Sequence, residues 1–397
     1  EAGIPAETYR NAAFLRCADG VIGRSAASAL YGDTLKNSAT RLEKYAACAF
    51  AHFMEFGLQI RERDQYELKA ADMGTVMHEA LEKFSKKLQE NGETWKTVTD
   101  DTRDRLIEEC VEETMADYGN TIFQSSSRNQ YRIIRVKRIL KRTVWALQQQ
   151  IRQGEFEPGE FEVSFSMEDS LSAINIDLSE HEKMRLRGRI DRVDLCETDD
   201  KVYVKIIDYK TGNTSLDLVA LYYGLQLQLA VYLDAAVELE QKKHPGKQVE
   251  PAGVFYYHID DPMLDQEEDE TDEAWGRRML KALRMDGLVN EHWKVVELLD
   301  RVLEDGTTSD VIPVGKKKDG SYPSYSKVAS PEQFDVIRTY TRKKVREIGE
   351  GIFSGNVKIS PYQRDGATAC AYCEYQGICG FDQKIQGYEY RKLKGMD

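Results

Sequence analysis

The sequence predicts an α/β fold with a mixed central sheet flanked by helices, and three observations carry that prediction. Up to about residue 153 the apolar residues recur with helical spacing. From about 159 to 210 the period drops to two, in three stretches rich in Val, Ile, Phe and Tyr. After 210, helical and strand-like stretches alternate, and that order suits a sheet with helices packed on its faces.

The elements follow in order. Ser38 precedes Arg41, Leu42, Tyr45, Ala46, Phe50 and Phe53, the pattern of one N-capped amphipathic helix with Cys48 in its C-terminal half. A second helix is expected from about Asp72 to Gln89, with Met77, Leu81, Phe84 and Leu88 on one stripe. Others are expected at roughly 97–118 and 126–153. "GEFEVSFSM" (159–167), "MRLRGRIDRVDLC" (184–196) and "KVYVKIIDYK" (201–210) are the three strands. A helix from about Leu218 to Glu240, a strand "AGVFYYHI" (252–259), a polar insertion to about 290 and a helix near 331–353 complete the chain.

Composition narrows the function. The 397 residues are 41% hydrophobic and 31% charged, the balance of a globular protein, and nothing approaches the roughly 18 consecutive apolar residues of a membrane span. There is no secretory signal, so a cytoplasmic location without membrane contact is expected. Seven cysteines in a reducing compartment are no disulfide framework, and the cluster Cys370, Cys373 and Cys379 suggests a metal. The net charge of −13 argues against indiscriminate binding of polyanions, yet the charge is uneven. Residues 260–273 hold nine acidic and no basic side chains, most simply a solvated loop. Residues 128–153 hold eight basic and no acidic ones, with Tyr131 and Trp145 interleaved. That stripe fits either a solvated face or a surface that tracks phosphates through Arg135, Arg138 and Arg142.

The sharpest local signal is the hairpin. With Asp199-Asp200 at its tip, paired residues have numbers summing to 399, and Asp191 stands opposite Asp208 with Cβ atoms about 4.5–5.5 Å apart. Val193, Leu195, Val202, Val204 and Ile206 share their face, which makes it the buried one. Two opposed carboxylates at the edge of an apolar face repel and lose hydration unless a cation sits between them. Lys210 lies two residues past Asp208 on that face, placed to hold a water or balance an anionic transition state.

"GRIDRVD" followed by "IIDYKTG" resembles the core of the PD-(D/E)XK nucleases of the RecB type, which implies a restriction-endonuclease-like sheet. The resemblance gives Asp191, Asp208 and Lys210 the roles of the two catalytic acidic residues and the lysine. "MGTVMHEALEKF" (73–84) resembles the helix whose histidine faces the metal, here His78. "LQLQLAVYL" (225–233) resembles the helix with the family's glutamine and tyrosine, here Gln228 and Tyr232, with Gln226 as the neighbouring alternative. Glu162 matches a further acidic position that helps hold the metal, and Mg²⁺ or Mn²⁺ is the implied ion.

The same resemblance extends to the cysteines. "SATRLEKYAACAFAHFMEFGL" (38–58) is similar to a segment of the AddB-type helicase-nuclease subunits in which one cysteine precedes the nuclease core and three follow it. It implies that Cys48, Cys370, Cys373 and Cys379 hold a [4Fe–4S] cluster that staples the two ends of the domain. Spacing alone leaves zinc and iron–sulfur open, since four thiolates suit both. The chain departs from the pattern at Ala49 and Glu374, neither of them a ligand, while Cys17, Cys110 and Cys196 are expected to be buried hydrophobes.

The expected organisation is a tail of a preceding helicase-like region or linker over 1–37 and a nuclease domain over 38–397, in a chain that is a fragment of something longer. The implied function is a metal-dependent DNA exonuclease acting on ends and single strands in recombinational double-strand-break repair. Its implied partner is an AddA-type helicase-nuclease subunit, because no G-x-x-x-x-G-K-[ST] occurs here, and no homo-oligomer is expected. A stand-alone iron–sulfur single-strand exonuclease of the CRISPR-associated type and a catalytically silent DNA-binding scaffold are the alternatives.

Overall fold

The computed structural model describes residues 20–63, 68–117, 123, 126–165, 171–172, 174–179, 182–265, 269–385 and 387–395. Cys17, the first 19 residues of the expected tail, residues 166–167 of the first expected strand and Glu267 and Glu268 of the acidic run lie outside them.

The chain opens with α1 (Arg24–Tyr31), β1 (Thr34–Asn37), α2 (Ala39–Ala47) and α3 (Ala49–His52), the last running into a π-helical stretch Phe53–Gly57. Three long helices follow, α4 (Ala70–Glu90), α5 (Asp100–Asp117) and α6 (Ser127–Gln153). Then come β2 (Glu157–Phe165), β3 (Asn175–Asp177), β4 (Lys183–Leu186), β5 (Gly188–Glu197) and β6 (Lys201–Lys210). Next are α7 (Leu218–Tyr222), α8 (Gln228–Lys243), β7 (Gln248–His258), α9 (Asp272–Ala282) and β8 (Asp286–Asn290). The remainder is α10 (Trp293–Leu299), β9 (Val328–Ala329), α11 (Pro331–Phe353), β10 (Tyr362–Arg364), β11 (Ala367–Thr368), α12 (Gln376–Cys379) and β12 (Arg391–Lys392).

Six strands form the central sheet in the order β2-β5-β6-β7-β8-β9. The β5–β6 hairpin is antiparallel, whereas β6 and β7 are parallel and joined through α8, so the sheet is mixed as expected. Both faces are covered. Tyr203, Ile207, Tyr209 and Phe255 pack against α4, α5 and α6 on one side. Val193, Val204, Ile206 and Tyr256 pack against α8 and α11 on the other. Strands buried on both faces explain why β7 reads as a continuous apolar run.

Caps account for the helices that fall where expected. Ser126 accepts from the Asn129 amide at the start of α6, and Ser330 and Gln333 form a capping box at α11 with Pro331 at its first position. Three expectations need correction. The single helix over 38–53 breaks at Cys48, whose extended backbone (φ −162°, ψ 116°) starts α3 on a new axis, with the Phe50 amide bonded to the Lys358 carbonyl at 3.2 Å. The helix over 218–240 is two helices, because Gly224 turns the chain at φ 78°. The strand over 184–196 divides at Arg187, so that β4 joins a separate sheet, β1-β4-β3, while β5 enters the central one. Gly188 begins β5 where a Cβ would come within 2.5 Å of the Phe165 ring. Of the segment expected to precede the nuclease domain, residues 20–37 are described and pack onto it, β1 pairing in parallel with β4.

Candidate active site

The hairpin register is the one the turn dictates. Arg192 pairs with Ile207 and Val193 with Ile206, each sum being 399, and Asp191 and Asp208 stand one step beyond. On the other side of β5, Phe161 pairs with Arg192 and Val163 with Ile190, which brackets Glu162 opposite Asp191. Three carboxylates therefore form a row across β2, β5 and β6. Glu162 holds its place with a left-handed backbone (φ 51°), a cost a non-glycine residue bears rarely and characteristically at functional sites.

α4 brings His78 over this row, its Nδ1 3.3 Å from Asp191 Oδ1 and its ring edge-on to Tyr209. The second Asp191 oxygen accepts from the Tyr209 amide at 2.7 Å. Burial, and then the charge of Asp191, push the Asp208 carboxyl up to about 6 and the Glu162 carboxyl up to about 7. Burial works to lower the His78 imidazole, but the hydrogen bond and charge of Asp191, with Asp208 and Glu162 behind them, leave it raised.

α8 supplies the other wall. Gln228 Nε2 donates to Asp208 Oδ1 at 2.8 Å and to the Tyr232 hydroxyl at 3.1 Å, while its Oε1 accepts from Lys210 Nζ at 2.9 Å. The Lys210 ammonium also pairs with Asp208 Oδ2 at 2.6 Å. Gln228, not its neighbour, reaches the site, for Gln226 ties down the preceding loop by bonding to the Asp217 amide and the Ser215 carbonyl.

What holds α8 in place leaves no mark on the sequence pattern. Glu43 on α2 aims one oxygen at the start of α8, accepting from the amides of Leu227 at 2.6 Å and Gln228 at 3.0 Å. A carboxylate there satisfies orphan donors and the positive end of the helix, so Gln228 starts from a fixed backbone. Behind the carboxylate row lies a second unforeseen feature, Arg192 gripping Asp194 at 2.6 and 2.9 Å with Lys205 2.7 Å from the same carboxylate. All three are buried, and the guanidinium lies against the Trp95 and Phe161 rings.

Among the described residues, His78, Glu162 and Asp191 are the group whose ligand atoms all lie within 4.8 Å of one another. The buried Asp208 carboxylate stands beside them in the row. Carboxylates raised by burial and one imidazole make a donor set that fits a hard divalent cation.

The four cysteines meet at the far end of α2. Cys48 sits where α2 gives way to α3 and packs in one cluster with Ala51, Met54, Tyr375 and Cys373, while Cys370 and Cys373 precede α12 and Cys379 ends it. The Cys370 thiol is raised by burial, against a hydrogen bond with Tyr390 that lowers it, and the nearby Cys373, Cys48 and Cys379 thiols raise it further. The Phe381 amide donates to Cys379 Sγ at 3.4 Å. Cys110 and Cys196 are buried apolar residues, as expected.

On α6 the basic stripe is largely consumed within the fold. Lys137 and Lys141 pair with Glu112 and Glu108 on α5. Arg138 and Arg142 both reach Asp261, at 2.5 and 3.1 Å. Arg135 remains exposed, with no ion pair among the described residues.

The sequence profile of the PD-(D/E)XK nuclease superfamily matches residues 36–380. Curated relatives agree. The ATP-dependent helicase/deoxyribonuclease of Lachnoclostridium phytofermentans has a subunit that is 45% identical over 381 residues, 94% of this chain and 32% of the relative. The identically named protein from Alkaliphilus metalliredigens is 40% identical over 374 residues, again 94% and 32%. That from Clostridium tetani is 37% identical over 362 residues, 91% and 31%. The chain spans about a third of the length of these relatives. With a profile matched across most of its length and the matching acidic residues, lysine and glutamine in one pocket, the chain belongs to the PD-(D/E)XK nuclease superfamily.

Proposed function

We propose that the chain hydrolyses DNA phosphodiesters as an exonuclease, working as the nuclease domain of a helicase-nuclease in recombinational repair of double-strand breaks. The observation that carries this reading is the row of Glu162, Asp191 and Asp208 with Lys210 at its end, held from one side by His78 and from the other by Gln228. His78, Glu162, Asp191 and Asp208 would hold Mg²⁺ or Mn²⁺. When bound, such a cation supplies polarisation of the phosphate and a more acidic water. Lys210 orients the attacking water and offsets charge developing on the phosphate, and Gln228 keeps the ammonium aimed while Tyr232 steadies Gln228.

Cys48, Cys370, Cys373 and Cys379 would hold a [4Fe–4S] cluster. Four thiolates suit zinc as well, and the resemblance of the segment around Cys48 to helicase-nuclease subunits is what favours the cluster. Its role is structural, because Cys48 and Cys370 bring together segments more than three hundred residues apart. The names of the relatives, which pair helicase with deoxyribonuclease, support an AddA-type partner that supplies the motor.

Cleavage of end-labelled single-stranded and double-stranded DNA in Mg²⁺ tests the reading. The wild type cuts, and Asp208→Asn and Lys210→Ala each lose on the order of 10²–10³-fold in rate. Equal activity in all three would overturn it.

A further inference from the structure

Beside the carboxylate row a cleft of about 340 Å³ opens between α4, α6 and the end of β7. It begins one residue after Lys210, at Thr211, and neither the metal pocket nor the cysteines use it. Buried Met77, Val136, Ile139 and Ile259, with Met73 above them, make its walls apolar. Arg132 and Arg135 stand at its rim.

Three features identify the occupant. The first is position. α4 turns His78 toward Asp191 and Met77 and Met73 into the cleft, and its Gly74 faces Thr211. Whatever enters the cleft is thus next to the group held at Lys210. The second is charge. The other basic side chains along this part of α6 are neutralised, whereas among the described residues neither Arg135 nor Arg132 has an ion pair, Arg132 donating to the Leu68 carbonyl at 3.2 Å. Two guanidinium groups without a carboxylate partner among the described residues, set on an apolar hollow, suit an anionic backbone carrying an apolar ring. The third is shape. The volume is at the small end for ligand pockets, and the thioethers of Met73 and Met77 can lie against a ring. Asp260 at the mouth offers an acceptor to an exocyclic amine.

We propose that this cleft receives one unstacked nucleobase of the strand being cut, from the nucleotide adjoining the scissile phosphate. The proposal rests on the nuclease reading above. A base can enter only when unpaired, so the cleft selects single strands over duplexes, which must first bear the cost of unpairing.

The test is a set of single-stranded oligonucleotides, identical except for one abasic residue walked along the sequence, with cleavage mapped at every phosphate in Mg²⁺. At one register relative to the cut bond the abasic residue lowers kcat/KM roughly 10-fold, and at the others it does not. Met73→Trp, which fills the cleft, lowers cleavage of the intact strand by a similar factor and abolishes the abasic effect. Arg135→Glu, on an exposed side chain that folding does not need, raises KM with kcat unchanged. Active enzyme indifferent to the abasic residue at every register would overturn the cleft while leaving the nuclease reading intact. If no DNA is cut at all, the nuclease reading fails, and the cleft is judged by a 2-aminopurine-labelled strand. Its fluorescence then changes on binding to the wild type and not to Met73→Trp, or the cleft proposal falls as well.

Discussion

Replacing Glu43 with Ala tests whether Gln228, proposed to aim Lys210, depends on a residue nearly two hundred positions away. The carboxylate accepts two backbone hydrogen bonds, from Leu227 at 2.6 Å and Gln228 at 3.0 Å. Its removal strands both donors at a buried helix start, at about 1–3 kcal/mol each. Part of that loss is returned, because burial already holds the Glu43 carboxyl above its ordinary value and its desolvation vanishes with it. A net destabilisation of about 2–4 kcal/mol follows, measured by urea unfolding. The same change frees the first turn of α8, so Gln228 no longer fixes both Lys210 and Asp208, and kcat falls by roughly 10- to 100-fold with KM little changed. Glu43→Gln keeps an acceptor oxygen at the same reach and recovers most of both losses. Wild-type stability and kcat in Glu43→Ala would show that α8 does not depend on Glu43. A loss of stability with kcat untouched would also break the link, leaving Glu43 a helix cap and nothing more.

Two further outcomes are expected. The Asp208 carboxyl is pushed up to about 6 and the Glu162 carboxyl up to about 7, so between about pH 4 and pH 7 these two sites, without metal, bind more protons in the native chain than in the unfolded one. Their contribution to stability therefore falls as pH rises through that window. Divalent cation reverses the slope, and Glu162→Gln flattens it; Tm measured from pH 4 to 8 with and without Mg²⁺ checks this, and an unchanged slope in Glu162→Gln would contradict it. In Cys48→Ser, iron content and absorbance near 400 nm are lost and stability drops by on the order of 4–5 kcal/mol, since the clamp closes a loop of more than three hundred residues. Retained iron in that variant would remove Cys48 from the ligand set.

What the sequence made legible was local. The Asp199-Asp200 tip sets the hairpin register within a few residues, so the opposition of Asp191 and Asp208 follows from counting. Ser126 and Ser330 mark the starts of α6 and α11 because caps act within one turn. What stayed hidden was set by contacts between distant segments. Glu43 reads as one more polar residue on an amphipathic helix until the fold brings the start of α8 to it. Arg192, Asp194 and Lys205 are charged residues that alternation assigns to an exposed face, yet helices cover that face and the three neutralise one another inside it. The α6 stripe looked like a continuous phosphate track because Asp261 and the α5 glutamates, which consume most of it, lie elsewhere in the chain. The break at Cys48 was equally invisible, since both halves keep helical spacing and the Phe50 amide finds its partner at Lys358, far along the chain.

If the carboxylate row holds the cation while Lys210 acts on the reacting groups, the two roles can be separated in one variant. Lys210→Met, studied by titration calorimetry with Mn²⁺ and by single-turnover cleavage of a single-stranded oligonucleotide, does so. Mn²⁺ affinity should equal or exceed that of the wild type, since the competing ammonium 2.6 Å from Asp208 is gone, while cleavage slows by on the order of 10²–10³-fold. Cleavage at the wild-type rate, or loss of Mn²⁺ binding along with cleavage, would contradict this division of roles.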